Sequence, residues 1–212
     1  VLREKNIPSP DYLMDMMNHP ELRDFEWDQS GTPTEYSAYY AESGIARVRK
    51  GRYSYTVMRD KSNFLYVHNG SIKLAMKIGG SFCEHRAFKA QTMEMDESGA
   101  FHLHQTMRGW YYLPFPEDKL PGTSDWWAMD NPHTRPQTQG LPLDTILDIV
   151  KRPDGIDLHI KTEGIDQLPM RVEFSFLPGG YVRTEHFLQA AKAGESINVI
   201  DGVVEACGPH GE

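Results

Sequence analysis

The sequence predicts an all-β protein, a twisted antiparallel β-sandwich, and three observations carry that prediction. From Tyr36 onward apolar residues recur with period two, the pattern of a strand with one buried face. Short turn signals separate these runs: Asn69-Gly70, Asp96-Glu97-Ser98-Gly99, Asp154-Gly155 and Pro178-Gly179-Gly180, all built from residues that tolerate tight-turn geometry. Aromatic residues make up 11% of the chain and stand beside 18 Gly and 14 Pro, a balance that favours strands joined by punctuated turns.

The elements follow in chain order. Residues 1–30 read as a short helical lead-in, capped by Ser9 or Asp11, with Leu13, Met14, Met16, Met17 and Leu22 as its apolar face and Pro20 as a break. The sandwich is expected over 31–212, as one domain. Its first hairpin turns at Arg49-Lys50-Gly51-Arg52. Tyr53, Tyr55 and Val57 share one face of the next strand, and Phe64, Tyr66 and His68 share a face of the strand after it. Ile72, Leu74, Met76 and Ile78 follow the Asn69-Gly70 turn, in a strand read as ending at Gly79-Gly80. A further strand is expected over 88–95. Phe101, Leu103, Gln105 and Met107 then alternate with His102, His104 and Thr106. Residues 114–142 hold Pro114, Pro116, Pro121, Pro132, Pro136 and Pro142 and read as a long irregular excursion, the kind of loop that often carries function. Strands resume over 143–152, 156–163, 172–176 and 181–188, with short ones at 197–200 and 203–204. The expected core is Phe64, Tyr66, Ile72, Leu74, Met76, Val172, Phe174 and Phe176.

Composition narrows the function classes. The net charge of −8 argues against nucleic acid, because duplex binding rests on neutralising phosphates. One basic cluster, Arg47, Arg49, Lys50 and Arg52, reads as a solvated strand end or as a local site for an acidic ligand. No run approaches the roughly 18 apolar residues of a membrane span. Cys83 and Cys207 read as free, buried thiols, since two cysteines make no disulfide framework. The chain begins Val1-Leu2-Arg3, which reads as the interior of a longer protein.

The strands carry a resemblance. The run Ser43-Gly44-Ile45-Ala46-Arg47-Val48-Arg49-Lys50-Gly51, the segment Phe64 through Gly70, the run Gly109-Trp110-Tyr111-Tyr112-Leu113-Pro114, and the stretch from Leu168-Pro169 to Gly179-Gly180 resemble the C-terminal part of heparinase II/III-like proteins. The resemblance spans residues 35–205. It implies a supersandwich-like region of a polysaccharide lyase, an acidic polysaccharide or oligosaccharide as partner, a helical toroid upstream of Val1, and a periplasmic or extracellular location. Catalytic members carry a His-rich strand motif with a nearby Asp; the matching region here offers only His68-Asn69-Gly70-Ser71.

Four constellations could carry chemistry. His102 and His104 project to one side of a strand and could bind a divalent metal with a carboxylate from a neighbouring strand; two solvated histidines are the simpler reading. Trp126, Trp127, His133 and Arg135 lie in the excursion, where rings stack on sugars and Arg135 could meet a uronate; the alternative is a loop anchored by its own tryptophans. Tyr111 and Tyr112, with His68, are candidates for proton abstraction in β-elimination, against plain aromatic packing. Glu185-His186 could form an acid–base pair, but adjacent residues on a strand face opposite ways. Three functions follow: the sandwich of a polysaccharide lyase, a non-catalytic glycan-binding or structural module, or a metal-dependent β-fold enzyme using His102 and His104.

Overall fold

The computed structural model describes residues 17–19, 33–83, 85–129 and 134–210. The chain divides into Val1–Pro33 and Thr34–Glu212. Of the expected lead-in helix, Met17 and Asn18 are helical, His19 is not, and the rest lies outside the described residues. No described helix is long and apolar enough to cross a membrane.

The second unit is mostly strand, all of it antiparallel, as the alternation predicts. Strands β1 (Glu35–Tyr40), β2 (Ile45–Lys50), β3 (Tyr53–Met58), β4 (Asn63–Asn69) and β5 (Ile72–Phe82) form a meander, and β11 (Met170–Phe176) adds to the far side of β5. The short β6 (His85–Ala87) also pairs with β5. A second sheet runs β10-β9-β8-β7, from β7 (Thr92–Met95), β8 (Phe101–Gly109), β9 (Leu141–Lys151) and β10 (Ile156–Gly164). A small third sheet holds β12 (Tyr181–Arg183) between β13 (Leu188–Ala190) and β14 (Glu205–Cys207).

The core is the space between the first two sheets. Ala46, Tyr55, Val57, Leu65, Met76 and Ile78 from one side meet Met93, Phe101, Leu103, Leu147 and Ile149 from the other, the face-to-face packing of a sandwich. Tyr39 ties the sheets at one end: its hydroxyl donates to the Met93 carbonyl at 2.5 Å and its ring meets Phe101 edge-on. In β8 the expected inward set holds, since Phe101, Leu103, Gln105 and Met107 are all buried.

Several expectations need correction. Phe64 and Tyr66 do not share a face. Asn63 pairs with Lys77 and Leu65 with Met76, so Phe64 is the extra residue of a β-bulge. Phe64 and Leu65 are both buried, and Tyr66 is turned outward at 43% exposure. Val172, Phe174 and Phe176 do lie on the apolar side, in register with Ile78, Met76 and Leu74, but β11 is an outer strand of the larger sheet and all three remain exposed. Gly79 and Gly80 do not end β5, which continues to Phe82. A Cβ at Gly80 would stand 2.7 Å from Met170 Sδ, so the glycine makes room for the neighbouring strand. The 88–95 strand is shorter than read, beginning at Thr92, and residues 181–188 split into β12 and the start of β13. Residues 197–200 are not a strand, and β14 falls at Glu205–Cys207 rather than at 203–204. Cys83 and Cys207 are free but only half-buried.

The two kinds of apolar position have different weights. Phe101→Ala should cost about 3–5 kcal/mol by leaving a cavity between the sheets. Phe174→Ala should cost well under half as much, because its ring is already half in water. Chemical denaturation of the two variants at a concentration where the chain is monomeric measures the contrast, and equal costs would mean that β11 is covered within the chain.

Candidate functional site

Period-two alternation gives each sheet a second, outward face, and the strand register decides what gathers there. On the larger sheet, one cross-strand row runs Ala38–Arg47–Thr56–Tyr66–Ala75–Ser175. The adjacent row runs Tyr36–Arg49–Ser54–His68–Lys73. Neither row contains a carboxylate. Small side chains at Ser54, Thr56, Ala75 and Ser175 leave a trough between taller neighbours, a groove of about 410 Å³ lined also by Arg47, Tyr66, His68, Lys73, Phe176 and Leu177. Arg47 Nη1 donates to Thr56 Oγ1 at 3.3 Å, which leans the guanidinium along the groove. Partial burial, then Lys73 and Arg47, hold the His68 imidazole below its ordinary pKa. Arg47 and Lys73 place positive charge along the groove.

Of these residues sequence reasoning named Arg47 and Arg49, in the basic cluster, and His68, as a candidate for proton abstraction. It missed Lys73 and Tyr66, because the register that aligns them and the bulge that turns Tyr66 outward are tertiary facts. The basic cluster itself disperses. Arg47 and Arg49 stay on the outward face, while Lys50 Nζ donates to the Pro153 carbonyl at 3.3 Å.

The outward face of the smaller sheet has the opposite chemistry. His102 lies opposite Asp148 and Glu94, and Thr106 lies opposite Asp144. Its Nδ1 meets Asp148 Oδ1 at 2.7 Å and its Nε2 meets Asp96 Oδ2 at 3.1 Å. Both ring nitrogens thus face carboxylates, and the bonds to Asp148 and Asp96 raise the His102 pKa. Asp96 is pulled down to about 2 by Ser98 first and His102 second. His104 is taken separately: its Nε2 meets Asp144 Oδ1 at 2.9 Å, and Thr106 Oγ1 donates to the same oxygen at 2.6 Å. The two histidines share a face as expected; His102 is engaged by Asp148 and Asp96, and His104 by Asp144. Among the described residues no group of three or more His, Cys, Asp or Glu side chains is arranged to hold a metal ion.

The excursion between β8 and β9 is pinned at its base. Tyr112 bridges Gln137, Leu113 N–H donates to the Pro136 carbonyl at 2.8 Å, and Thr138 N–H donates to the Tyr111 carbonyl at 2.9 Å. Asp125 caps a short 3-10 turn at Trp126–Ala128, accepting from Trp127 N–H at 3.0 Å. Arg135 stands over the rings of Tyr112, Trp126 and Phe115, at 4.7, 5.2 and 5.6 Å from their centroids. Trp126 and Arg135 therefore anchor the loop, while Trp127 is 91% exposed. Tyr111 and Tyr112 are exposed as well, not core residues. His133 lies outside the described residues. Glu185 and His186 sit side by side at 3.4 Å in the turn between β12 and β13, both largely in solvent.

Two outcomes follow. A raised folded-state pKa means that His102 contributes stability below the unfolded value and loses it as pH rises through the folded one. The stability gap between the chain and His102→Gln should thus be larger at about pH 5.5 than at about pH 8.5, and denaturant titrations at the two pH values measure it. Arg135→Ala should release Trp126, shift tryptophan fluorescence and speed proteolysis within 114–135, at a cost of about 1–2 kcal/mol. An unchanged cleavage pattern would show that the aromatic box does not hold the loop. No family model, curated protein or solved structure matches the chain.

Proposed function

We propose that this chain is the sandwich region of a carbohydrate-active protein, similar to heparinase II/III-like polysaccharide lyases, and that it holds an acidic oligosaccharide across the outward face of its larger sheet. The observation that carries the reading is the groove in which Arg47, Lys73 and His68 stand among Tyr66, Ser54, Thr56 and Ser175 without a carboxylate in the two rows. Acidic sugars need three things from a protein: cations for carboxylate or sulfate groups, donors and acceptors for hydroxyls, and a flat ring against the sugar face. The groove supplies all three on rigid strands, so little ordering is required on binding. Its local positive field opposes the net charge of −8, which favours an anionic ligand at this one face. The role read from the groove is binding and positioning.

Titration calorimetry with uronate-containing and neutral oligosaccharides tests the reading. Arg47→Ala and Lys73→Ala should each weaken acidic ligands roughly tenfold or more, the scale of a lost charge-assisted contact, and leave neutral ligands nearly unchanged. Because His68 is held in its neutral form near pH 7, protonation adds charge to the groove. Affinity should rise as pH falls below the ordinary histidine range, and His68→Gln should flatten that rise. Equal affinity for acidic and neutral sugars would sink the proposal. An absorbance increase from unsaturated uronate products would instead assign turnover to this chain.

A further inference from the structure

The outer strand β11 carries an inference that does not depend on the ligand. Among the described residues β11 pairs only with β5. The alternation of its hydrogen bonds can be read from both ends. Ser81 N–H donates to the Pro169 carbonyl at 3.3 Å, and Leu177 N–H donates to the Lys73 carbonyl at 3.1 Å. In an antiparallel pair, every second residue bonds to a given neighbour. The odd-numbered residues from 169 to 177 therefore point their backbone groups toward β5. Met170, Val172, Phe174 and Phe176 point theirs toward the open edge.

Those same four residues place apolar side chains on the sandwich-facing side and keep 38–51% of their surface exposed. The edge lacks three of the usual guards against pairing: the strand contains no proline, no lysine and no bulge. Its other side carries charge, with Arg171 ion-paired to Glu173 and Lys77 Nζ 3.7 Å from Glu173.

We propose that β11 pairs with β11 of a second copy of this chain, antiparallel about a two-fold axis at Val172. Charge selects this register. Centring on Val172 puts Arg171 opposite Glu173 of the partner subunit, twice. Centring on Arg171 or Glu173 would put like charges face to face, which destabilises a sheet pair. Centring on Phe174 would leave Arg171 opposite Leu177 of the partner subunit. The Val172 register also matches Met170 with Phe174 of the partner subunit on the apolar side, so the exposed stripe is covered by its own image. Pro169 falls at a position whose backbone faces β5, and its missing N–H costs the new ladder nothing. The contact is isologous and closes, which gives a dimer rather than a fibre.

Sedimentation velocity of the full chain over a range of concentrations tests this. The chain should dimerise reversibly. Arg171→Glu and Glu173→Arg should each weaken the dimer at least roughly tenfold by opposing like charges. An equimolar mixture of these two variants should recover it as a heterodimer, because each supplies the sign that the other lacks. Val172→Pro should also give a monomer while denaturation shows the sandwich intact, since that N–H does not serve β5. A chain monomeric at every concentration, or a dimer indifferent to both charge reversals, would overturn the proposal. Failure of the mixture to associate would overturn the register.

Discussion

Everything in this fold depends on the burial of one face of each sheet against the other. Phe101, Leu103, Leu147 and Ile149 fill the gap left by Val57, Leu65, Met76 and Ile78. Each is essentially out of water, and each buried aliphatic or aromatic side chain is worth about 1.5–3 kcal/mol. Because side chains alternate, choosing the inward residues also chooses the outward ones. The positions of Arg47, Tyr66 and Lys73, and of His102 and Asp148, are by-products of a packing decision taken on the other side of the backbone.

That coupling gives the two sheets different outward chemistry. The outward face of the larger sheet presents Arg47, Arg49, His68 and Lys73, with Glu173 further along β11, and that of the smaller sheet presents Glu94, Asp144 and Asp148 among His102, His104 and His159. A chain that is acidic on average thus carries a local positive field on one face. On the smaller sheet the same alternation produces internal pairing: the aspartates bond the imidazoles and tie the 96–99 turn to β9.

Much of the fold was legible because turns and alternation are local. Asn69-Gly70 and Asp154-Gly155 mark hairpins, and Phe101 to Met107 reads its burial directly from the order of residues. The errors arose where a neighbour decides. The two glycines of β5 look like a stop, but Gly80 makes space for Met170 and Gly79 for Arg171. Phe174 looks like core, yet its depth depends on how far the opposite sheet extends. The site was less legible than the fold. Arg47 and Lys73 are 26 positions apart in sequence, and only the strand register brings them to adjacent rows. The tryptophan pair was visible, but which of the two rings anchors the loop was not. Arg135, a charged residue that sequence alone offers as a ligand for acids, is occupied by three aromatic rings of its own loop.

The bulge at Phe64 sets the phase of the groove. Counting by twos from Phe64 would send Tyr66 and His68 into the core; the extra residue reverses the count and sends them to solvent. Length changes before this point, in the turn between β3 and β4, leave the parity of the groove untouched. The loss of a single residue between Phe64 and Asn69 would turn the contribution of β4, Tyr66 and His68, inward while Arg47 on β2 and Lys73 on β5 stay outward. The groove is thus exposed to insertion and deletion as well as to substitution. Its chemistry is stored in a count of residues as much as in their identities.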